Sequence, residues 1–310
     1  MKKKIIYEIK ALYRDDLRVT GYEFGKGKKS VCILGSSRGN EVQQLYVCSQ
    51  LVKQLKKLEE EGRLTTGHKI LVIPSINPYS MNIKKRFWPT DNTDINRMFP
   101  GYDLGETTQR IAAGVFHAIK DFTYGIQFTS FYMPGRFTPH VRMMKVGYED
   151  AELAKQFGLP YVVLRNTRPY DTTTLNYNWQ IWNTKAFSIY TATTTQIDRE
   201  SASLAIRSIF NFLAKQGILR YHSHDGYQSM VVEDTDMVPV RTHTAGIFEG
   251  VVRVGDEVSK GQLLANIIDP YEGEIREKLT APLDGIIFFA HDDPLTYANT
   301  AVYKLITREA

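Results

Sequence analysis

From Ser30 to Gln216, short apolar runs of strand length alternate with segments whose apolar residues recur at helical spacing. A strand covered on both faces reads as a near-continuous run of Val, Ile and Leu, whereas a helix lying on a sheet shows apolar residues three and four apart. Strands are predicted at 30–34, 69–74, 124–128, 140–144, 161–165 and 187–191, and helices at 41–60, 106–120, 149–157 and 200–216. Such alternation fits neither an all-helical nor an all-β chain and predicts an α/β layer architecture. The stretch VCILGSSRGNEVQQL, Val31 to Leu45, is the clearest unit. A buried strand closes at Gly35, a polar loop follows, and from Asn40 onward Val42, Leu45, Leu51, Val52, Leu55 and Leu58 form a helical face with one irregular step. Strand, loop and helix start is where many α/β enzymes hold a phosphate or a metal.

Between Asn166 and Lys185 the sequence is polar and aromatic with no clear period. That length implies either a functional loop or an element that periodicity does not reveal. Tyr170, Tyr177, Trp179 and Trp182 there either line an aromatic wall or pack inward. After Gly217 the character changes to short β-rich pieces punctuated by Gly-Asp, Lys-Gly, Asp-Gly and Asp-Asp-Pro turn signals. A small all-β barrel or sandwich is expected at 236–310, after an α/β domain at 1–225. VGDEVSKGQLL and APLDGII resemble the half-motifs of biotinyl and lipoyl carrier domains. The position of the carriers' modified lysine corresponds to Tyr271, so a swinging-arm role is not expected.

Composition narrows the function classes. Across 310 residues the net charge is +5, and the basic residues are scattered apart from Lys2, Lys3, Lys4 and the region around Lys53 to Lys57. A nucleic-acid surface needs a basic stripe with interleaved aromatics, which is missing here. Cys32 and Cys48 are too few for a zinc cluster or a secreted disulfide framework. Glu8 and Lys10 interrupt the opening before signal-peptide length, and no apolar run reaches membrane-spanning length. A cytoplasmic protein without nucleic-acid or membrane partners is therefore expected.

The segment NPYSMNIKKRFWPTDNTDINRMFPG, Asn77 to Gly101, carries the most specific pattern in the chain. It resembles, nearly residue for residue, a motif of the succinylglutamate desuccinylase and aspartoacylase family. FYMPGRFTPHVRM and the C-terminal AGIFEGVVRVGDEVSKGQLL, APLDGII and VYKL extend the likeness over most of the chain. The resemblance implies a carboxypeptidase-like mixed sheet flanked by helices, a C-terminal β domain, and zinc-dependent amide hydrolysis. It also implies that Asn96 and Arg97 hold the carboxylate and carbonyl of an acylated amino acid, with Arg86 at another motif position. A guanidinium offers a planar fork for a carboxylate. Asp94 and Arg97 pinning a long loop is the structural alternative.

At the family's metal positions this sequence departs. The first two ligand positions hold Arg38 and Glu41, and the third holds Thr129, preceded by Gln127 where the family has an acid. A catalytic zinc needs three protein ligands and an open position, and arginine, which stays protonated, has no lone pair to give. The general-base position holds Tyr190, with Ser188 two residues earlier, and no Glu or Asp occurs from Asn183 to Ile197. No histidine stands at a ligand position. His140 is close to the expected pocket but alone, and the local cluster of His222 and His224 reads as linker. Arg38 beside Glu41 is expected to form an ion pair that balances a carboxylate no longer facing a dication.

Three functions remain open. One is a divergent member whose zinc centre is dismantled, with no cofactor, binding a small carboxylate or N-acyl amino acid through Arg86, Asn96, Arg97 and Arg38. The second is a working zinc amidohydrolase with ligands elsewhere. The third is a metal-free enzyme using Ser36, Ser37, Thr129, Tyr190 or Arg38. Assembly with itself or with an active relative is compatible with each.

Overall fold

The computed structural model describes residues 1–12, 15–222 and 226–307. The chain forms two compact units, 1–130 with 139–231, and 131–138 with 232–310. In chain order the first unit begins with β1 (Lys2–Ile9), β2 (Leu17–Gly25), β3 (Gly27–Ser36), α1 (Val42–Glu60), β4 (Gly67–Ser75), α2 (Pro78–Asn82), α3 (Thr107–Ile119) and β5 (Tyr124–Thr129). After β6 (Arg136–Phe137), which belongs to the second unit, come β7 (His140–Lys145), α4 (Ala151–Lys155), β8 (Tyr161–Asn166), α5 (Leu175–Ile181), β9 (Lys185–Tyr190), α6 (Arg199–Lys215) and β10 (Met230–Glu233). The strands form one mixed sheet in the order β1-β2-β4-β3-β5-β9-β7-β8-β10.

Both faces of the sheet are covered, and β3 shows how. Val31 and Ile33 enter one core with Val47, Leu51 and Leu55 of α1 and Ala205, Ile209 and Phe212 of α6. Cys32 and Leu34 enter another with Ile111, Val115 and Ile119 of α3 and Leu175 and Trp179 of α5. Alternate residues of a strand point to opposite faces, so an unbroken apolar run requires helices on both. Each such buried aliphatic side chain contributes about 1.5–3 kcal/mol. Cys32 and Cys48 are free thiols buried in these layers, and burial raises the pKa of both.

The strands and helices read from periodicity are present: most strands are extended by one to a few residues, β9 and α6 are shifted by one or two, and α1 and α3 are shorter by one residue at one or both ends. α4 is shortened most, because Asp150 caps its start, accepting from the Leu153 N–H at 2.9 Å, and Gly158 takes a positive φ just beyond it. At its start α6 is capped by Asp198, which accepts from the Ser201 N–H at 2.8 Å. Asp198→Ala is expected to lower the stability of the first unit by about 1 kcal/mol in urea unfolding.

Two parts of the sequence reading need correction. The basic opening is a strand: β1 pairs antiparallel with β2 at the sheet edge, where exposed lysines discourage further strand pairing. The aperiodic stretch 166–185 contains a 3-10 turn, Pro169–Asp171, and α5. Its period was masked because α5 buries Asn176, Asn178 and Gln180 along with its apolar residues. Trp179 packs inward on Gly125, where a Cβ would come within 2.6 Å of the indole, while Tyr170 and Trp182 are exposed.

The second unit adds β11 (Val238–Arg241), β12 (Gly246–Gly250), β13 (Glu257–Val258), β14 (Leu263–Ile268), β15 (Ile275–Thr280), β16 (Gly285–Ala290), β17 (Leu295–Thr296) and β18 (Ala301–Thr307). They form two sheets, β11-β18-β16-β13 and β15-β14-β12-β17, around a core that includes Leu264, Ile267, Ile287, Val302 and Leu305. β6 joins the first of these by pairing Phe289 with Phe137, so 131–138 leaves the α/β unit to which the sequence reading assigned it. Tyr271 stands exposed in the turn between β14 and β15. No helix of the described residues is long and apolar enough to cross a membrane.

Candidate functional site at the ends of the central strands

β3, β5 and β9 run parallel, so Ser36, Thr129 and Tyr190 all come to the sheet's carboxyl edge. β7 is antiparallel to β9, which brings its first residue, His140, opposite Tyr190. Ligands of open α/β sheets bind outside this edge. The loop from Ser36 to Glu41 lies here, and its course depends on Gly39. A Cβ on Gly39 would lie 2.2 Å from the Ser80 carbonyl group and 2.4 Å from the Lys85 carbonyl oxygen.

Arg38 lies at the centre and is 3% exposed. Its Nη1 donates to Glu41 Oε1 at 2.9 Å, and its Nε donates to Asp94 Oδ2 at 2.9 Å. The ion pair expected from the sequence is therefore present, with Asp94 as a second carboxylate. Burial alone would lower the Arg38 pKa, but these two carboxylates outweigh it and raise the value above that of an ordinary guanidinium. Glu41 is further occupied. Its Oε2 accepts from the Ser37 and Arg38 N–H groups at 2.7 and 3.0 Å, and its Oε1 accepts from Ser130 Oγ at 2.6 Å. Ser36 Oγ donates to the Arg38 carbonyl at 2.5 Å, and Ser37 Oγ contacts Glu41 Oε2 at 3.4 Å, so both hydroxyls act in shaping the loop.

The motif segment 77–101 supplies the opposite wall. Asp94 Oδ1 accepts from the Asn96 N–H at 3.0 Å, and Asn96 Oδ1 accepts from Gln127 Nε2 at 2.9 Å. Arg86 pairs with Asp94 at 3.5 Å and is partly exposed. Burial and the nearby Arg38 cation lower its pKa from the usual value. Arg97 lies apart from this set. It donates to the Tyr170 carbonyl, pairs with buried Asp171 at 3.4 Å and stacks over the Tyr170 ring. Arg165 pairs with the other oxygen of Asp171 at 3.2 Å. Asp171 lies 74 residues beyond Arg97, and no spacing rule in the sequence reveals that partnership.

On the adjoining strands Tyr190 is flanked by His140, whose ring stacks parallel at 4.8 Å, and by Arg142. Arg142 donates to the Tyr190 hydroxyl oxygen at 3.1 Å and lies 4.4 Å above the ring centre. Sequence reading passed over Arg142, although it lies in the stretch FYMPGRFTPHVRM that extends the family likeness. It also missed Gln44, one helical turn after Glu41, whose Nε2 donates to the Thr129 carbonyl at 3.2 Å. Among the described residues no group of three or more His, Cys, Asp or Glu side chains is gathered as a metal site. His224, part of the local histidine cluster, lies outside the described residues.

Comparison with known proteins agrees with the motif. Residues 27–215 match the family model described as the succinylglutamate desuccinylase/aspartoacylase catalytic domain. The N-alpha-acetyl-L-2,4-diaminobutyric acid deacetylase of Halomonas elongata is 24% identical over 288 residues, covering 87% of this chain and 79% of that protein. Among solved structures, a succinylglutamate desuccinylase from a Silicibacter species superposes with a TM-score of 0.80 at 19% identity, covering 98% of this chain and 92% of that one. The product-bound ectoine utilization protein EutE (DoeB) of Ruegeria pomeroyi superposes with a TM-score of 0.78 at 20% identity, covering 94% and 90%. With the family model spanning more than half of its length, the chain belongs to the succinylglutamate desuccinylase/aspartoacylase family.

Proposed function

We propose that this family member has exchanged its metal for Arg38 and binds a small carboxylate or N-acyl amino acid without zinc-dependent hydrolysis. The observation that carries this reading is the Arg38 guanidinium bonded to both Glu41 and Asp94 in a buried setting. A fixed cation already compensates the carboxylates that would otherwise attract a dication. Both Glu41 oxygens are engaged, and Thr129 and Arg38 are poor donors for zinc, so the residues present do not fit a three-ligand zinc site. Arg86, shared with a single Asp94 oxygen and partly exposed, is the cation best placed to receive the ligand carboxylate. Asn96 joins that wall through Gln127, while Arg97 is held apart from it by Asp171 and Tyr170.

Metal analysis of protein purified without chelators tests the reading. Zinc well below one ion per chain is expected, with uptake appearing in an Arg38→His, Thr129→His double variant. One tightly held zinc per wild-type chain would overturn it. That result would favour the second reading, a zinc-dependent N-acyl amino acid deacylase, which the family match and the deacetylase relative support.

A further inference from the structure

Alternation along the strands of the second unit sorts its residues by face. Ala265, Ile267 and Leu279 enter the core and Phe248 packs against it, so their strand neighbours Ile247, Glu249, Asn266, Ile268 and Lys278 point away from it. The register then aligns these outward residues. Leu295 pairs with Ile247, Ile247 with Ile268, and Ile268 with Ile275, an apolar row that crosses all four strands of the β15-β14-β12-β17 sheet. Beside it runs a polar row in which Glu249 pairs with Asn266 and Asn266 with Lys278. The Asn266 side chain donates to Glu249 Oε2 at 2.9 Å, which places both on this face. Leu295 is 62% and Ile275 48% exposed, and Ile247 and Ile268 between them are half-buried. Single exposed apolar residues are ordinary, whereas a contiguous row rimmed by polar residues marks an interaction surface. Among the described residues no exposed large apolar side chain lies on β11, β13, β16 or β18 of the other sheet.

The order of charges along the polar row selects the occupant. Sheets pack face to face about 10 Å apart with their strands within about 30° of each other. When this face meets a copy of itself about a two-fold axis running along β14, β12 of one chain lies over β15 of the other. Ile247 then meets Ile275 of the second copy, Ile268 meets its own counterpart on the axis, and Glu249 meets Lys278, with each contact repeated by symmetry. An axis between β12 and β14 would instead set Glu249 over Asn266 and leave Lys278 without an opposite charge. An axis running across the strands would lay the apolar row on the polar one. The two-fold along β14 alone matches apolar with apolar and acid with base. It engages three short strands, less than the about 800 Å² per partner of a standard interface, so the dissociation constant is expected on the order of 10–100 µM.

We propose that the outer face of the β15-β14-β12-β17 sheet is a homodimer interface, formed with the same face of a second copy of this chain about a two-fold axis along β14. The test is analytical ultracentrifugation of the full chain over a dilution series from about 500 to 1 µM, where mass action turns a dimer of this strength into monomer. Glu249→Lys and Lys278→Glu each set like charges against one another at two symmetry-related places, and each is expected to weaken the dimer about 10-fold. Combining them exchanges the two charges, so the double variant should recover wild-type association to within about threefold. Ile268→Asp, which brings two carboxylates together on the axis, should leave the chain monomeric throughout the series. Glu249 and Lys278 are exposed, so the charge exchange reads the interface without disturbing the core, and an unchanged urea midpoint checks that each variant is folded. A wild-type chain that stays monomeric at the highest concentration would overturn the proposal and assign the apolar row to a different protein or a lipid surface. A dimer unmoved by the single charge variants, or not recovered by the double one, would also overturn it, because association would then use another face.

Discussion

Replacing Arg38 by Met is expected to destabilise the first unit by about 3–5 kcal/mol, because it leaves Glu41 and Asp94 as buried carboxylates without their shared cation. At about 2–4 °C per kcal/mol for a domain of this size, the melting temperature should fall by roughly 6–20 °C in scanning calorimetry. The sign with pH is fixed by the raised Arg38 pKa. Stability from a group whose folded pKa is raised is fully present below its unfolded value and lost only above it. For a guanidinium that window includes every pH at which the protein can be studied, so the wild-type contribution of Arg38 should not titrate away. Glu41→Gln and Asp94→Asn, added to Arg38→Met, should recover part of the loss by removing the unpaired charges. A melting temperature of the single variant within 2 °C of wild type, a margin set by that same scaling, would contradict a compensating role for Arg38.

Gly39→Ala should be nearly as damaging for a different reason. The new methyl would lie 2.2 Å from the Ser80 carbonyl and 2.4 Å from the Lys85 carbonyl oxygen, and both obstacles are backbone. No rotamer change relieves such a clash, so the loop or the 80–85 segment must shift, at a cost on the order of 3 kcal/mol. Because Arg38 and Glu41 flank Gly39, the shift should also disturb the ion pair. Urea unfolding should show a lower midpoint with an unchanged slope, and near-UV circular dichroism should report the displaced aromatics Tyr79 and Trp88, which stack beside this segment. An unaltered midpoint would mean that the close approach to Ser80 is not obligatory.

How much of this was legible in the sequence depended on the kind of signal. β3, β4 and β5 are covered on both faces and so betray themselves as apolar runs, and α1 and α6 show one apolar face each. β1 escaped because an edge strand with lysines and half-buried residues has no such run. α5 escaped because it buries amides beside Leu175 and Trp179. At the site, the Arg38 and Glu41 pair was readable from their separation of three residues and from charge balance. Asp94, 56 residues away, completes it, and only the tertiary path of the chain brings it there. The apolar row of Leu295, Ile247, Ile268 and Ile275 was beyond reach, since its members come from four strands and only their register aligns them.

The pairing of β6 with β16 bears on how this gene can be divided. The smaller unit is assembled from two stretches of chain separated by residues 139–231 of the larger one, so a single cut near residue 231 does not release a complete module. A C-terminal fragment would lack a strand, and an N-terminal fragment would carry 131–138 with no sheet to join. That orphaned stretch lies in the chain between Ser130, which bonds Glu41, and His140, which stacks on Tyr190. Truncation of the last 79 residues, 232–310, would therefore slacken a tether whose two ends are both anchored in the site. The carboxy-terminal portion is thus not a detachable appendage, and exchanging it between relatives would require transplanting the eight-residue stretch 131–138 with it.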